Sequence, residues 1–369
     1  MKKIVLPFYL KLTCVLISLI AIGFLAIIGK EILSPLLFSF LFAILLLPMC
    51  NFFENRLRFP RPVASGLSVL LFLSVASLVM YLFGSQIADL SREWPLLKSQ
   101  LSGLFHTIQE WLHRTFHINI EKQTEYINNT TENILSSSGT LIEKTVFSLS
   151  GILLLLVFIL IYTFFLLLYR RLLMRFIVAA FTEKYISVIY EISERIKYIV
   201  RKYITGLFFE MAIVLGISCL VFWLLGIKYV FLLGLIVAVF NVIPYIGIFT
   251  ALIISVSITF ATFDGRHALY VLIAVICVHL FDSNFLMPKI VGSQVKINPL
   301  IIILGVVVGE MLWGIPGMFL SIPYMAMAKV IFDRVEGFQS WGLLLGEEEH
   351  TPVKVKSMIS RLRKKEEND

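Results

Sequence analysis

The feature that most constrains this chain is a series of apolar runs long enough to cross a lipid bilayer. Residues 12–28, 32–50, 63–83, 151–169, 207–225 and 269–285 are each dominated by aliphatic and aromatic side chains. An α-helix rises 1.5 Å per residue, so about 20 such residues span the hydrocarbon core. Inside hydrocarbon every backbone polar group must be satisfied within the structure, which selects helices. A transmembrane barrel would instead show short alternating segments. Composition agrees: 59% of the 369 residues are hydrophobic and 15% are charged, against about 25% charged in a soluble chain. The expected fold is all-α, a polytopic membrane protein of about eight transmembrane helices.

Two further apolar segments, 229–263 and 300–332, are too long for one straight crossing. The first is interrupted by Asn241-Val242-Ile243-Pro244-Tyr245-Ile246-Gly247 and the second by Gly314-Ile315-Pro316-Gly317. Proline removes an amide donor and clashes with the preceding turn, and glycine permits sharp bends. Each segment is therefore discontinuous, either a kinked single span or a re-entrant pair. Counting each as one crossing gives eight spans. Ile243-Pro244-Tyr245 recurs as Ile322-Pro323-Tyr324, which reads either as a trace of an internal repeat or as chance.

Charge sets the expected orientation. Arg56, Arg58 and Arg61 follow the second run, and Arg170, Arg171 and Arg175 follow the fourth. Short loops rich in Lys and Arg stay cytoplasmic, so both termini are expected in the cytoplasm of a multi-pass protein of the bacterial inner membrane. The net charge of +8 belongs to these flanks and tails, where it meets lipid headgroups. It is not a nucleic-acid signal. The amino-terminal run is too long for a signal-peptide core. The four cysteines have no CxxC spacing and read as small apolar filler.

These boundaries divide the chain into three amino-terminal spans (1–83), an extracytoplasmic helical segment (84–147), and a fourth span with a basic linker (148–206). A carboxy-terminal core of broken helices (207–335) and a basic tail (336–369) follow. Residues 185–204 carry Ile189, Ile192, Ile196 and Ile199 at helical spacing, which predicts an amphipathic helix at the membrane surface ahead of the fifth span. In the hydrophilic segment, Leu90, Trp94, Leu97, Leu101, Leu104, Ile108 and Trp111 form a heptad seam. It serves either a self-packed hairpin or a contact between copies in a homo-oligomer.

Ionisable residues inside apolar runs are costly and mark sites. They are Glu210, His279, Asp282 and Glu310. An intramembrane carboxylate can hold a proton or a cation near neutral pH, so these four are the ion-coupling candidates. His279 and Asp282 share a helix face. The plainer alternatives are a polar cap at a helix end for the His279–Asp282 pair and pairing with Lys202 for Glu210. Asn241, Pro244 and Gly247, with Asn284, Pro288, Gly292, Pro316 and Gly317, are the path candidates. Backbone groups freed where helices break can meet a substrate or ion, the alternative being a kink that serves packing alone. The chain has no GxxxxGK[ST], HExxH or GxSxG signature, so no nucleotide motor, zinc protease or common serine hydrolase is expected. The expectation is a protein that is not an enzyme, with no cofactor or metal.

These motifs together resemble the autoinducer-2 exporter family of bacterial and archaeal membrane proteins. The layout matches over nearly the whole chain. The most specific matches are Tyr203-Ile204-Thr205-Gly206-Leu207 with Glu210, the Asn241–Gly247 block, and Pro288-Lys289-Ile290-Val291-Gly292 with Asn298-Pro299-Leu300 and Gly314-Ile315-Pro316-Gly317. Three positions depart from the family: Leu207, where glutamine is common, Ile248, where proline is usual, and Pro316, where it is not. The resemblance implies a secondary transporter or facilitator, with members linked to autoinducer-2 export and others to exchange of sodium or lithium for protons. The leading expectation is ion-coupled efflux of a small hydrophilic molecule, followed by a sodium(lithium)/proton antiporter. A non-transporting membrane scaffold is the reading from another class.

Overall fold

A computed structural model describes residues 7–92, 138–243, 246–292 and 297–347. Among these residues no strand forms, and one isolated antiparallel bridge joins Ile297 and Gly346. The apolar runs fold as expected: α1 (Phe8–Ile28), α2 (Lys30–Asn55), α3 (Arg61–Arg92) and α4 (Ser138–Ala180). The protein is a polytopic helical membrane protein, with six helices long and apolar enough to cross a bilayer among the described residues. The heptad seam beyond Leu90 and most of the hydrophilic segment lie outside the described residues.

The expected surface helix and the expected fifth span are one element. After a single 3₁₀ turn (Glu183–Tyr185), α5 runs unbroken through Ile186–Leu224. Thr205 and Gly206 do not interrupt it, because the chain is packed there. Tyr203, Ile204 and Leu207 are buried against Leu41 and Ile44 of α2.

Both over-long segments fold back on themselves. The first forms α6 (Val230–Asn241) and α7 (Ile246–Thr262). α6 runs antiparallel to α5, with the Cys219 thiol reaching the Val230 carbonyl near the top and Asn241 meeting Glu210 lower down. α7 then returns along α6, and α8 (Gly265–Phe281) descends beside it, so these four helices share one apolar core around Phe222, Leu233, Ala251 and Val275. The α8 turn starts cleanly because the Asp264 carboxylate caps it, accepting from the His267 amide at 2.9 Å.

The second forms α9 (Pro299–Trp313) and α10 (Ile315–Arg334). Asn298 caps α9 by accepting from the Leu300 amide, with Pro299 at the first helical position. Gly314, at φ +68°, makes the turn, a backbone conformation that glycine adopts without strain. The Asn298 amide donates to the Leu345 carbonyl at 2.9 Å, beside the short helix α11 (Gln339–Leu345) that follows α10. That contact fixes the start of α9 next to the chain leaving α10. Gly309 and Gly317 bring the two backbones together, and a methyl on either would overlap the other's carbonyl.

Each over-long segment is thus a pair of helices joined by a turn rather than one kinked helix. Ile243 stands at a hairpin tip, whereas Ile322 and Pro323 lie inside α10, so the repeated triplets occupy different structural places.

Candidate functional site

The tip of the α6–α7 hairpin meets α5 and the end of α8 at one point, and three side chains converge there. Asn241, the last residue of α6, donates its side-chain amide to Glu210 Oε1 at 3.2 Å and to Asp282 Oδ2 at 2.8 Å. Glu210 is 4% exposed and Asp282 is 2% exposed. The two carboxyl groups are also near enough to share a hydrogen bond, which requires a proton on one of them. Glu210 Oε2 and Asp282 Oδ1 are buried without a donor among the described residues.

Local sequence explains each position. Glu210 lies seven residues after Tyr203, on the buried stripe of α5 that also carries Leu207 and Val214. Asp282 opens a π-helical turn, Asp282–Leu286, followed by a second at Pro288–Gly292. Pro288 cannot donate to the α-helical ladder, and π turns recur at functional sites. Asn241 is presented by the hairpin turn, which needs Gly247. A methyl at 247 would overlap the Phe240 carbonyl oxygen. A small apolar cavity of about 110 Å³ lies beside the tip, lined by Val242, Leu207, Phe38, Phe42 and Phe319. Leu207, where the resembled family often carries glutamine, is one of its walls.

Chemically the cluster is two acids and one amide, with no lysine or arginine paired to either acid among the described residues and His279 one turn away. Two ionised carboxylates here would be an uncompensated buried charge, which is costly. A proton or a monovalent cation removes that cost.

The other candidates fall elsewhere. Glu310 is exposed on α9, flanked by the exposed Val307, Val308 and Met311, and its side chain has no partner among the described residues. His279 lies one turn before Asp282, with Nε2 3.3 Å from Ser283 Oγ and Nδ1 buried without a partner among the described residues. Asn284 turns back to its own helix, donating to the Leu280 carbonyl at 2.7 Å. Lys202 is exposed and Glu210 faces the Asn241 amide instead. Pro288 and Gly292 lie in the second π turn, and Pro316 and Gly317 in the first turn of α10, where Gly317 is a packing contact. Pro244 lies outside the described residues.

Sequence reasoning missed a second polar cluster. Glu54, at the end of α2, accepts from Arg61 at 3.3 Å, from Arg171 at 2.8 Å and from Arg170. Arg170 also reaches Asn51 at 3.1 Å. The signal was a lone acid ahead of two arginine groups, but nothing local joins residues 54 and 170.

Comparison with known proteins sharpens the reading. Residues 16–337 match the family model described as AI-2E family transporter. The chain is 26% identical to the putative transport protein YrrI of Bacillus subtilis over 82% of its length and 86% of the relative's. It is 23% identical to a second B. subtilis protein, the putative transport protein YueF, over 81% of its length and 82% of the relative's. It is 26% identical to the AI-2 transport protein TqsA of Escherichia coli over 86% of its length and 90% of the relative's.

Proposed function

The chain belongs to the AI-2E family of transporters, and on that premise we propose that it is an ion-coupled secondary transporter in which Glu210, Asn241 and Asp282 form the coupling site. The observation that carries this reading is the buried carboxylate pair bridged by one amide at a hairpin tip. With one proton or cation between the two acids, the pair is neutralised enough to stay buried, the amide holds both and the tip is docked. When that proton or cation leaves, two facing anions remain, which repel in low dielectric. The hairpin is then freed to move. Ion occupancy and hairpin position are then linked, as coupling requires.

The cargo is a small hydrophilic molecule of the autoinducer-2 type, in line with the name of the E. coli relative. Its movement outward is the finer part of the proposal. Sodium(lithium)/proton antiport is the second reading, favoured by the two donorless carboxylate oxygens, which suit a monovalent cation. The arginines at the ends of α2 and α4 and at the start of α3 support an inner-membrane protein with both termini cytoplasmic.

The test is proton movement in liposomes carrying a pH gradient and a pH-sensitive dye. Dye response on adding sodium or lithium supports antiport, and response only to autoinducer-2 supports coupled export. Silence with every addition, with correct insertion established, overturns ion coupling.

A further inference from the structure

A groove of about 840 Å³ lies between α2, α4, α5 and α10, remote from the Glu210–Asp282 cluster in its lining. Its walls are apolar: Phe40, Leu173, Ile177 and Ile189 are typical. Phe40, Leu173 and Ile177 are 37%, 42% and 42% exposed, so they line open space rather than a packed core. A hydrophilic solute would leave its water there for almost no polar partner, at a cost. A hydrocarbon chain loses nothing.

One corner of the groove is strongly basic. Arg170 and Arg171 line it, and with Arg61 they share the single carboxylate of Glu54. Three guanidinium groups on one acid leave an excess of two positive charges. The Arg171 side chain is 52% exposed. Lys197 and Arg334 line the groove too, each balanced by an acid, Glu194 and Glu191 respectively. Glu336 is the one acid among the lining residues.

An apolar slot with an arginine corner, in a protein surrounded by lipid, matches one molecule class in both halves. We propose that this groove is a binding site for an acidic phospholipid, its acyl chains lying against α4 and α5 and its phosphate on the Arg170–Arg171 corner. Basic pockets between transmembrane helices are suited to such headgroups. Bound there, the lipid would tie α4 to α5 and α10 at the end of the bundle. The site stands independently of ion coupling.

The experiment uses the full chain in phosphatidylcholine nanodiscs doped with phosphatidylglycerol bearing a photoreactive diazirine on its acyl chain. Crosslinked peptides are mapped by mass spectrometry. Adducts should concentrate on residues 166–196 and be competed by unlabelled phosphatidylglycerol but not by phosphatidylcholine. The double variant Arg170→Gln, Arg171→Gln should need about 30-fold more acidic lipid for the same labelling, the contribution of two basic side chains at a lipid surface. Ile189→Trp fills the groove without touching a charge, keeps the test valid if the charge variant misfolds, and should also lose the adducts. Labelling spread over all lipid-facing helices, equal competition by phosphatidylcholine, or indifference to Ile189→Trp would each overturn the proposal. So would displacement of the label by a hydrophilic solute at low concentration, which would make the groove a substrate vestibule.

Discussion

Gly247→Ala should uncouple this transporter although residue 247 carries no chemistry. An ordinary contact to a Cβ lies at 3.4–4 Å, and a methyl built on Gly247 falls far inside that distance from the Phe240 carbonyl oxygen. The obstacle is backbone, so it cannot rotate away. The hairpin tip must open on the order of 1 Å, a misplacement that can cost about 100-fold in rate. Asn241 follows Phe240 directly, and its hydrogen bonds of 3.2 and 2.8 Å have little length to spare. Flux should therefore fall about 100-fold, with a stability loss of about 1–3 kcal/mol from overpacking. The assay is substrate-driven proton movement in liposomes, with insertion checked by protease accessibility. Gly216→Ala on α5 is the control, since a methyl there meets nothing within 4 Å. Wild-type flux in Gly247→Ala would refute the reasoning, because it would show that the tip geometry does not set the rate.

Three further outcomes follow from packing and charge. Gly317→Ala should force α9 from α10 and lower stability by about 1–3 kcal/mol, read as an earlier thermal midpoint in detergent. Glu54→Gln removes the negative charge shared by Arg61, Arg170 and Arg171 and should cost about 2 kcal/mol, with a midpoint less sensitive to salt than that of the parent. The His267 backbone amide, then the His267 ring, holds the Asp264 carboxyl below the usual carboxylate range. A depressed value stabilises above the unfolded value and is lost as pH falls through the folded one. The first turn of α8 should therefore lose amide-exchange protection below about pH 4.

Much of the fold was legible because hydrocarbon permits few backbone solutions. Each apolar run became a helix, and the breaks at 241–247 and 314–317 were visible as proline and glycine. The direction of the chain after each break was not, because both a kink and a turn satisfy the same residues. What decides it is contact between distant positions, Asn298 with Leu345 and Gly309 with Gly317. The join between the amphipathic helix and the fifth span was missed for a related reason. Gly206 looks like a breaker until Tyr203, Ile204 and Leu207 are seen packed on α2.

The site was legible as a set of residue types and illegible as a pairing. Asp282, Glu210 and Asn241 stood out as polar groups in apolar surroundings, but so did Glu310. Only the hairpins show that Asn241 reaches two acids 31 and 41 positions away, while Glu310 faces outward from α9.

That contrast gives the most direct test. Single variants Glu210→Gln, Asp282→Asn and Glu310→Gln should be reconstituted side by side and their proton flux measured under one gradient. The structure leads to loss of coupled flux in the first two and near-parental flux in the third. Normal flux in both Glu210→Gln and Asp282→Asn, with loss in Glu310→Gln, would contradict the account and move the coupling site to the α9–α10 hairpin.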